Sequence, residues 1–202
     1  MKVKLIETIE NLCNESEENA VTILAKIKTA IQNERVPNFS KIKDGEHFIY
    51  HNIEFIRLGL EQGGVLCMTA KPFEEAPFDA NGCNDWRKSS SREKLNTMFL
   101  SLLNENDLLP FESDLIADNG DTSYGKSVDK IGLLSCDLYR KYRKHVPLFD
   151  EWMWTCTPWF CKGTPNSGSA GNVRRVNSDG TLNSNTAYGS NALAPACIFR
   201  NQ

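Results

Sequence analysis

With 202 residues, 40% of them hydrophobic and 24% charged, the chain is long enough for one domain with a real core and a short appendage. A formal net charge of -3, from 23 Lys and Arg against 26 Asp and Glu, lacks the basic surplus of a nucleic-acid protein and is far too mild for a DNA mimic. No run approaches the roughly 18 apolar residues that a membrane span requires, so neither nucleic acid nor membrane is expected as a partner.

The opening stretch, MKVKLIETIENLCNESEEN, turns acidic before an apolar segment of signal-peptide length develops. That predicts no export signal and a cytoplasmic place of synthesis, with virion or host cytoplasm as later destinations. The cysteines (Cys13, Cys67, Cys83, Cys136, Cys156, Cys161 and Cys197) are odd in number and scattered, which does not describe a disulfide framework. No CxxC occurs, and His47, His51 and His145 complete no zinc pattern. Reduced thiols serving as small core residues, and no cofactor, are the expectation.

In chain order, Val3, Leu5, Ile6, Ile9 and Leu12 have mostly helical spacing. Ser16 is a plausible cap for a second helix, with Ala20, Val21, Ile23, Leu24, Ile27, Ala30 and Ile31 on one side, ending by Pro37. Residues 1–38 are thus predicted as an N-terminal helical pair, whose apolar face is buried either on the main domain or on a second copy. Period two then predicts strands at 47–50, 53–58 and 65–69, with turns at His51-Asn52 and at 61–64. Residues 71–84, with two prolines and Gly82, predict a loop.

Ser89, Ser90 or Ser91 caps a helix predicted to run to about Asn104, with Leu95, Met98, Phe99, Leu102 and Leu103 inward. A polar stretch over 114–129 precedes a short buried strand at 131–134 and a helix at 137–144. The C-terminal quarter begins with Trp152, Trp154 and Trp159, a large share of the area available for burial. Short runs broken by Gly, Ser and Asn follow, then an apolar end from Leu193 to Phe199. These elements make an α+β domain over 39–202 in which the C-terminal part completes the core and displays loops.

Several clusters invite chemical readings. Asp114, Asp118, Asn119, Asp121 and Asp129 offer hard oxygen ligands near a Gly turn, with Asp118, Asn119 and Asp121 the weak candidates for calcium. The order of an EF-hand is missing, however, and Asx residues also hydrogen-bond their own backbone in turns, which is the preferred reading. Asp85-Trp86-Arg87 with Arg92 is either an ion-pair network around a buried indole or a loop anchored by Trp86. Arg174-Arg175 should place one arginine on each face of a strand, one of them half-buried in an ion pair, before an Asp-Gly turn. Tyr139-Arg140-Lys141-Tyr142-Arg143-Lys144-His145 resembles a solvated helix face with two aromatic packers and no phosphate loop.

Taken together, WRKSSSREKLNTMF, DKIGLLSCDLYRKY, EWMWTCTP, GNVRRVNSDGTLN and ALAPACIF resemble the bacterial and phage family catalogued as domain of unknown function 6273, over about residues 44–199. That family is similar to C-type-lectin-like domains, among them the variable binders of diversity-generating retroelements and the formylglycine-generating enzymes. The resemblance implies a C-type-lectin-like core of short antiparallel strands and two to three helices, with an irregular C-terminal region as the binding face. By that resemblance the face draws on Trp159, Asn166, Ser167, Asn172, Asn183, Asn185, Tyr188 and Asn191. Two departures stand out. Ala194-Pro195-Ala196 replaces the family's Arg-Pro-Ala, and Cys156-Thr157-Pro158 replaces its Arg-Ser-Pro.

No paired cysteines carry over the formylglycine enzymes' oxidase chemistry. The expectation is a non-catalytic binding module, encoded by a phage or prophage, that recognises a protein or glycan. Two alternatives stand beside it: a phage effector that blocks a host or defence protein, and a small-ligand enzyme using Asp85, Arg87 or the Asp118 loop.

Overall fold

The computed structural model describes residues 20–33, 35–163 and 170–201. It has a mixed α+β fold with a few helices and several short, mostly antiparallel strands. Helix α1 (Ala20–Asn33) forms where the apolar spacing predicts it. Ile23, Ile27 and Ile31 are half-buried, while Leu24 is exposed and so leaves the expected inward stripe. The first member of the predicted helical pair, and the Ser16 cap of the second, lie outside the described residues.

Strands β1 (His47–Tyr50), β2 (Ile53–Glu61) and β3 (Gly64–Thr69) form a meander at the predicted positions. His51 and Asn52 both take positive φ, as do Gln62 and Gly63, which gives the two-residue turns whose twist suits a hairpin. Residues 71–84 hold more than a loop. Within them, β4 (Glu74–Pro77) pairs antiparallel with β12 (Ser190–Leu193) at the edge of a second sheet. An edge strand tolerates proline, because the missing N–H faces away from the ladder.

The predicted helix beyond Ser89 starts where expected, with Ser89 Oγ accepting from the Arg92 N–H at 3.1 Å. Its α-turn, α2 (Ser90–Lys94), passes into a π stretch over Leu95–Phe99 and a 3-10 turn over Leu100–Leu102. The wider π turn brings residues four apart into line. Leu95, Phe99 and Leu103 are therefore buried, whereas Met98 and Leu102, expected inward, are exposed.

Next come β5 (Leu108–Leu109), the ribbon of β6 (Phe111–Asp114) and β7 (Lys126–Asp129), and β8 (Ile131–Gly132). Helix α3 (Cys136–Tyr142), capped by Ser135, precedes β9 (Met153–Pro158). β10 (Asn172–Val176) and β11 (Leu182–Thr186) are joined by a turn in which Asp179 Oδ1 accepts from the Thr181 N–H at 2.9 Å. β12 leads directly into β13 (Ala196–Phe199).

One sheet runs β1-β2-β3-β13-β5 with β8 also on β13, and the other runs β11-β10-β9-β12-β4. Strand β13 is buried throughout and alternates strictly between two apolar clusters. Cys197 and Phe199 join Phe39, Tyr50, Phe55 and Trp154 on one side; Ala196 and Ile198 join Leu58, Leu66, Tyr139 and Met153 on the other. Burial on both faces, shared with β3 and β9, marks it as a core strand. Phe199 alone meets the rings of Phe39, Phe48, Tyr50 and Phe55 at centroid distances of 5.1 to 5.9 Å. Of the three C-terminal tryptophans, Trp154 is a core residue and Trp152 is substantially exposed.

Candidate functional site

The C-terminal strands are held by buried polar residues from the middle of the chain. Asn84 Nδ2 donates to the carbonyls of Phe160 at 2.8 Å and Asn172 at 3.0 Å, and its Oδ1 accepts from the Tyr124 hydroxyl at 2.8 Å. One amide thereby ties the end of β9 to the start of β10. Trp86 is fully buried and donates from Nε1 to Asp129 Oδ2 at 3.1 Å; the same carboxylate accepts from Arg92 Nε and Ser127 Oγ, each at 2.8 Å. Asp85 binds Arg87 through two hydrogen bonds of 2.9 and 2.6 Å. The network and the buried indole anchor, treated as alternatives in the sequence, occur together.

Two consecutive arginines of β10 then point to opposite faces, as strand alternation predicts. Arg174, with its side chain 11% exposed, lies over Trp159 at 5.0 Å and pairs with Asp118, Nε to Oδ1 at 3.3 Å. That approach is close enough for charge pairing but out of line for a hydrogen bond, and Nε has no other acceptor among the described residues.

Arg175 has a different setting. It is 7% exposed, its guanidinium lies over the Trp152 ring at 3.2 Å, and no carboxylate pairs with it among the described residues. Its Nε and Nη1 are buried with no acceptor among the described residues. Burial alone pushes its pKa below the ordinary arginine value.

Across the ladder Arg175 stands opposite Asn183 and Trp154, and Val173 stands opposite Asn185. Directly opposed residues share a face, as do residues two apart along a strand, so Arg175, Asn183 and Asn185 lie together. Asn185 Nδ2 reaches Asn191 Oδ1 at 3.3 Å, while Asn191 is 2% exposed and its own Nδ2 has no acceptor among the described residues. The ring closes at Trp152, whose carbonyl accepts from the Ala192 N–H at 2.7 Å beside Asn191. The cluster of Trp152, Arg175, Asn183, Asn185 and Asn191 is thus rich in amide and guanidinium donors around an aromatic plate 44% exposed.

The structure divides the residues predicted for the binding face. Asn183, Asn185 and Asn191 meet in this cluster. Tyr188, 66% exposed, stands on the turn between β11 and β12, near Gly82. Trp159 is on the other face with Arg174 and Phe160. Asn172 sits at the start of β10, where its carbonyl accepts from Asn84 and from the Trp159 N–H. Asn166 and Ser167 lie outside the described residues. Trp152 and Arg175 were missed as partners, since nothing in their spacing reveals that 23 residues close into a stack.

On the calcium candidates, Asn119 Oδ1 accepts from the Asp121 N–H at 3.2 Å and Asp121 Oδ1 accepts from the Ser123 N–H at 2.8 Å. These are Asx turns, and Asp118 is engaged by Arg174. No group of three or more metal-ligating side chains occurs among the described residues.

The basic helix matches its expected anatomy: Tyr139 and Tyr142 pack inward, while Arg140 and Lys141 face out and pair with Asp137 and Glu61. Beside it, Glu61, Glu112, Asp118, Arg140 and Lys141 help line a cleft of about 510 Å³. Its charges are largely compensated, since Glu112 also pairs with Lys126. The buried thiols are chemically quiet. Burial pushes Cys156 up to about 12 and raises Cys136, so both stay protonated at neutral pH. No described helix is long and apolar enough to cross a membrane. The chain matches no family model, no curated protein and no solved structure.

Proposed function

We propose that this protein is a non-catalytic binding module with a C-type-lectin-like core of the domain of unknown function 6273 kind, encoded by a phage or prophage. It holds a protein or glycan ligand on its C-terminal strands and turns. The observation that carries this reading is the clustering of Asn183, Asn185 and Asn191 around Trp152 and Arg175, with the exposed Tyr188 ring on the adjoining turn. Aromatic plates ringed by adaptable small polar groups are the usual composition of interface patches that dominate binding energy.

The basic face of α3 is the natural competitor. Its Lys141 is tied to Glu61, and exposed lysines steer a partner more than they hold it. Capture from bacterial lysate supplies the partner for the test. Replacing Trp152 and Tyr188 by alanine should weaken its binding by roughly 2 to 5 kcal/mol. Replacing Lys141 and Lys144 should alter mainly the association rate and its salt dependence. Full-strength binding by a folded aromatic variant, with loss in the lysine variant, moves the functional face to α3.

A further inference from the structure

Arginine is rarely buried without a carboxylate or another set of acceptors, because removing a cation from water is costly unless something replaces the lost hydration. Elsewhere among the described residues this chain obeys that rule. Arg92 has Asp129, Arg87 has Asp85 and Arg174 has Asp118, while Arg57 has Asp44 and the carbonyls of Phe39 and Ile42. Arg57 and Arg174 also have a buried Nε without a hydrogen bond, but each has a carboxylate within 3.3 Å. Arg175 is the departure: it has no carboxylate among the described residues, and both its Nε and Nη1 are unmatched. On β12, with β9 between it and Arg175, the Asn191 amide repeats the pattern, with Nδ2 buried and unmatched while Oδ1 is already taken by Asn185. The unmatched atoms in this cluster are all donors, so what the cluster lacks is acceptors.

We propose that Arg175, under the Trp152 ring, forms a binding site for a carboxylate group of the ligand. A planar carboxylate matches the guanidinium fork with two parallel hydrogen bonds, as Asp85 does on Arg87 in this chain. Trp152 sets the access. It precedes β9, so its side chain can turn aside without breaking the pairing of that strand, and its exposed edge opens a path to the guanidinium. The same carboxylate chemistry comes from two sources, an acidic sugar or an acidic protein side chain. The inference rests on the reading of this face as the binding face, and supplies its specificity.

The full-length protein, labelled with nitrogen-15, is titrated with glucuronate and with N-acetylglutamic α-amide, while the arginine Nε–H and indole N–H resonances are followed. Saturable shifts at Arg175 and Trp152 are expected, with dissociation constants on the order of 1 mM, a magnitude suited to one charge-assisted contact. Response to the sugar acid alone identifies an acidic glycan, and response to the amide alone an acidic peptide. Inorganic phosphate, which a guanidinium fork can also hold, is the control for a general anion site.

Arg175→Met removes the charge but keeps the volume. It should abolish the shift at the Trp152 indole and raise the melting temperature of the free protein by about 2–4 °C, since an unmatched buried cation is lost. Arg175→Lys keeps the charge without the fork and should weaken binding about tenfold. No saturable shift, phosphate binding as well as the carboxylates, undiminished binding by the lysine variant, or a lower melting temperature in the methionine variant each overturns the proposal. The titration needs no natural partner. Its failure is therefore separable from failure of the lysate capture, which tests the binding face itself.

Discussion

Arg174 and Arg175 are chemically identical neighbours on one strand, yet the fold treats them differently. Arg174 faces Trp159 and Asp118, which offsets its charge. Arg175 faces Trp152 and a group of asparagines, where amides replace carboxylates. Both stack on an indole, so stacking alone does not distinguish them. What separates them is the counter-charge. The lesson is that a buried cation serves the fold when its acid is built in; one without an acid is where the proposed ligand sits.

The strongest test of that contrast removes a built-in acid where burial is deepest. Asp129 accepts from Trp86, Arg92 and Ser127, and its side chain is almost fully buried. Asp129→Ala should cost about 3–5 kcal/mol in urea unfolding, because it strands a cation and an indole N–H together. A loss below about 1 kcal/mol, the value of an exposed pair, would mean that the acid matters little to this fold.

A smaller effect is expected at the Arg174 pair. Asp118 is about one-third exposed, so Asp118→Asn should cost about 1 kcal/mol. If the unfolding midpoint does not move, Arg174 is as independent of its acid as Arg175 is of any, and the contrast fails.

The mildest test uses pH. Burial pushes the Glu61 carboxyl up, but hydrogen bonds from Lys141 and Tyr142 outweigh it and hold the pKa below the ordinary carboxylate value. A carboxyl with a depressed folded pKa contributes stability that is present above its unfolded pKa, about 4.3, and is lost as pH falls through the folded value. Wild type should therefore exceed Glu61→Gln in stability at neutral pH, with the gap closing on acidification below pH ~4. A gap that stays constant down to pH ~2 would show that the ion pair is not what Glu61 contributes.

Much of this fold was legible because local chemistry and global placement agree. The meander from His47 to Thr69 follows from period two and from turn residues able to take positive φ. Strand β4 escaped notice because its proline, Pro77, obscures a ladder that the edge position permits. Met98 and Leu102 were placed inward by an ideal helical period, and the π stretch reset that phase. The site shows the same division. Alternation separates Arg174 from Arg175 in the sequence, but which of them meets Asp118 depends on a loop some 56 positions earlier. The stack of Trp152 on Arg175 depends on how β9 and β10 align around an irregular register. Non-local pairings leave no periodic trace.

Strand β13 carries a consequence for biosynthesis. Ala196–Phe199 lies between β3 on one side and β5 and β8 on the other, yet follows all of them in the chain. While a ribosome is still making the middle of the protein, the β1–β3 meander must wait with an open edge at β3, and the rings of Phe39, Phe48, Tyr50 and Phe55 wait without Phe199. Such an edge is a template for pairing with other nascent chains. Closure is then a late event, in which one four-residue strand joins both sides of the first sheet through non-local pairings of the kind that form slowly.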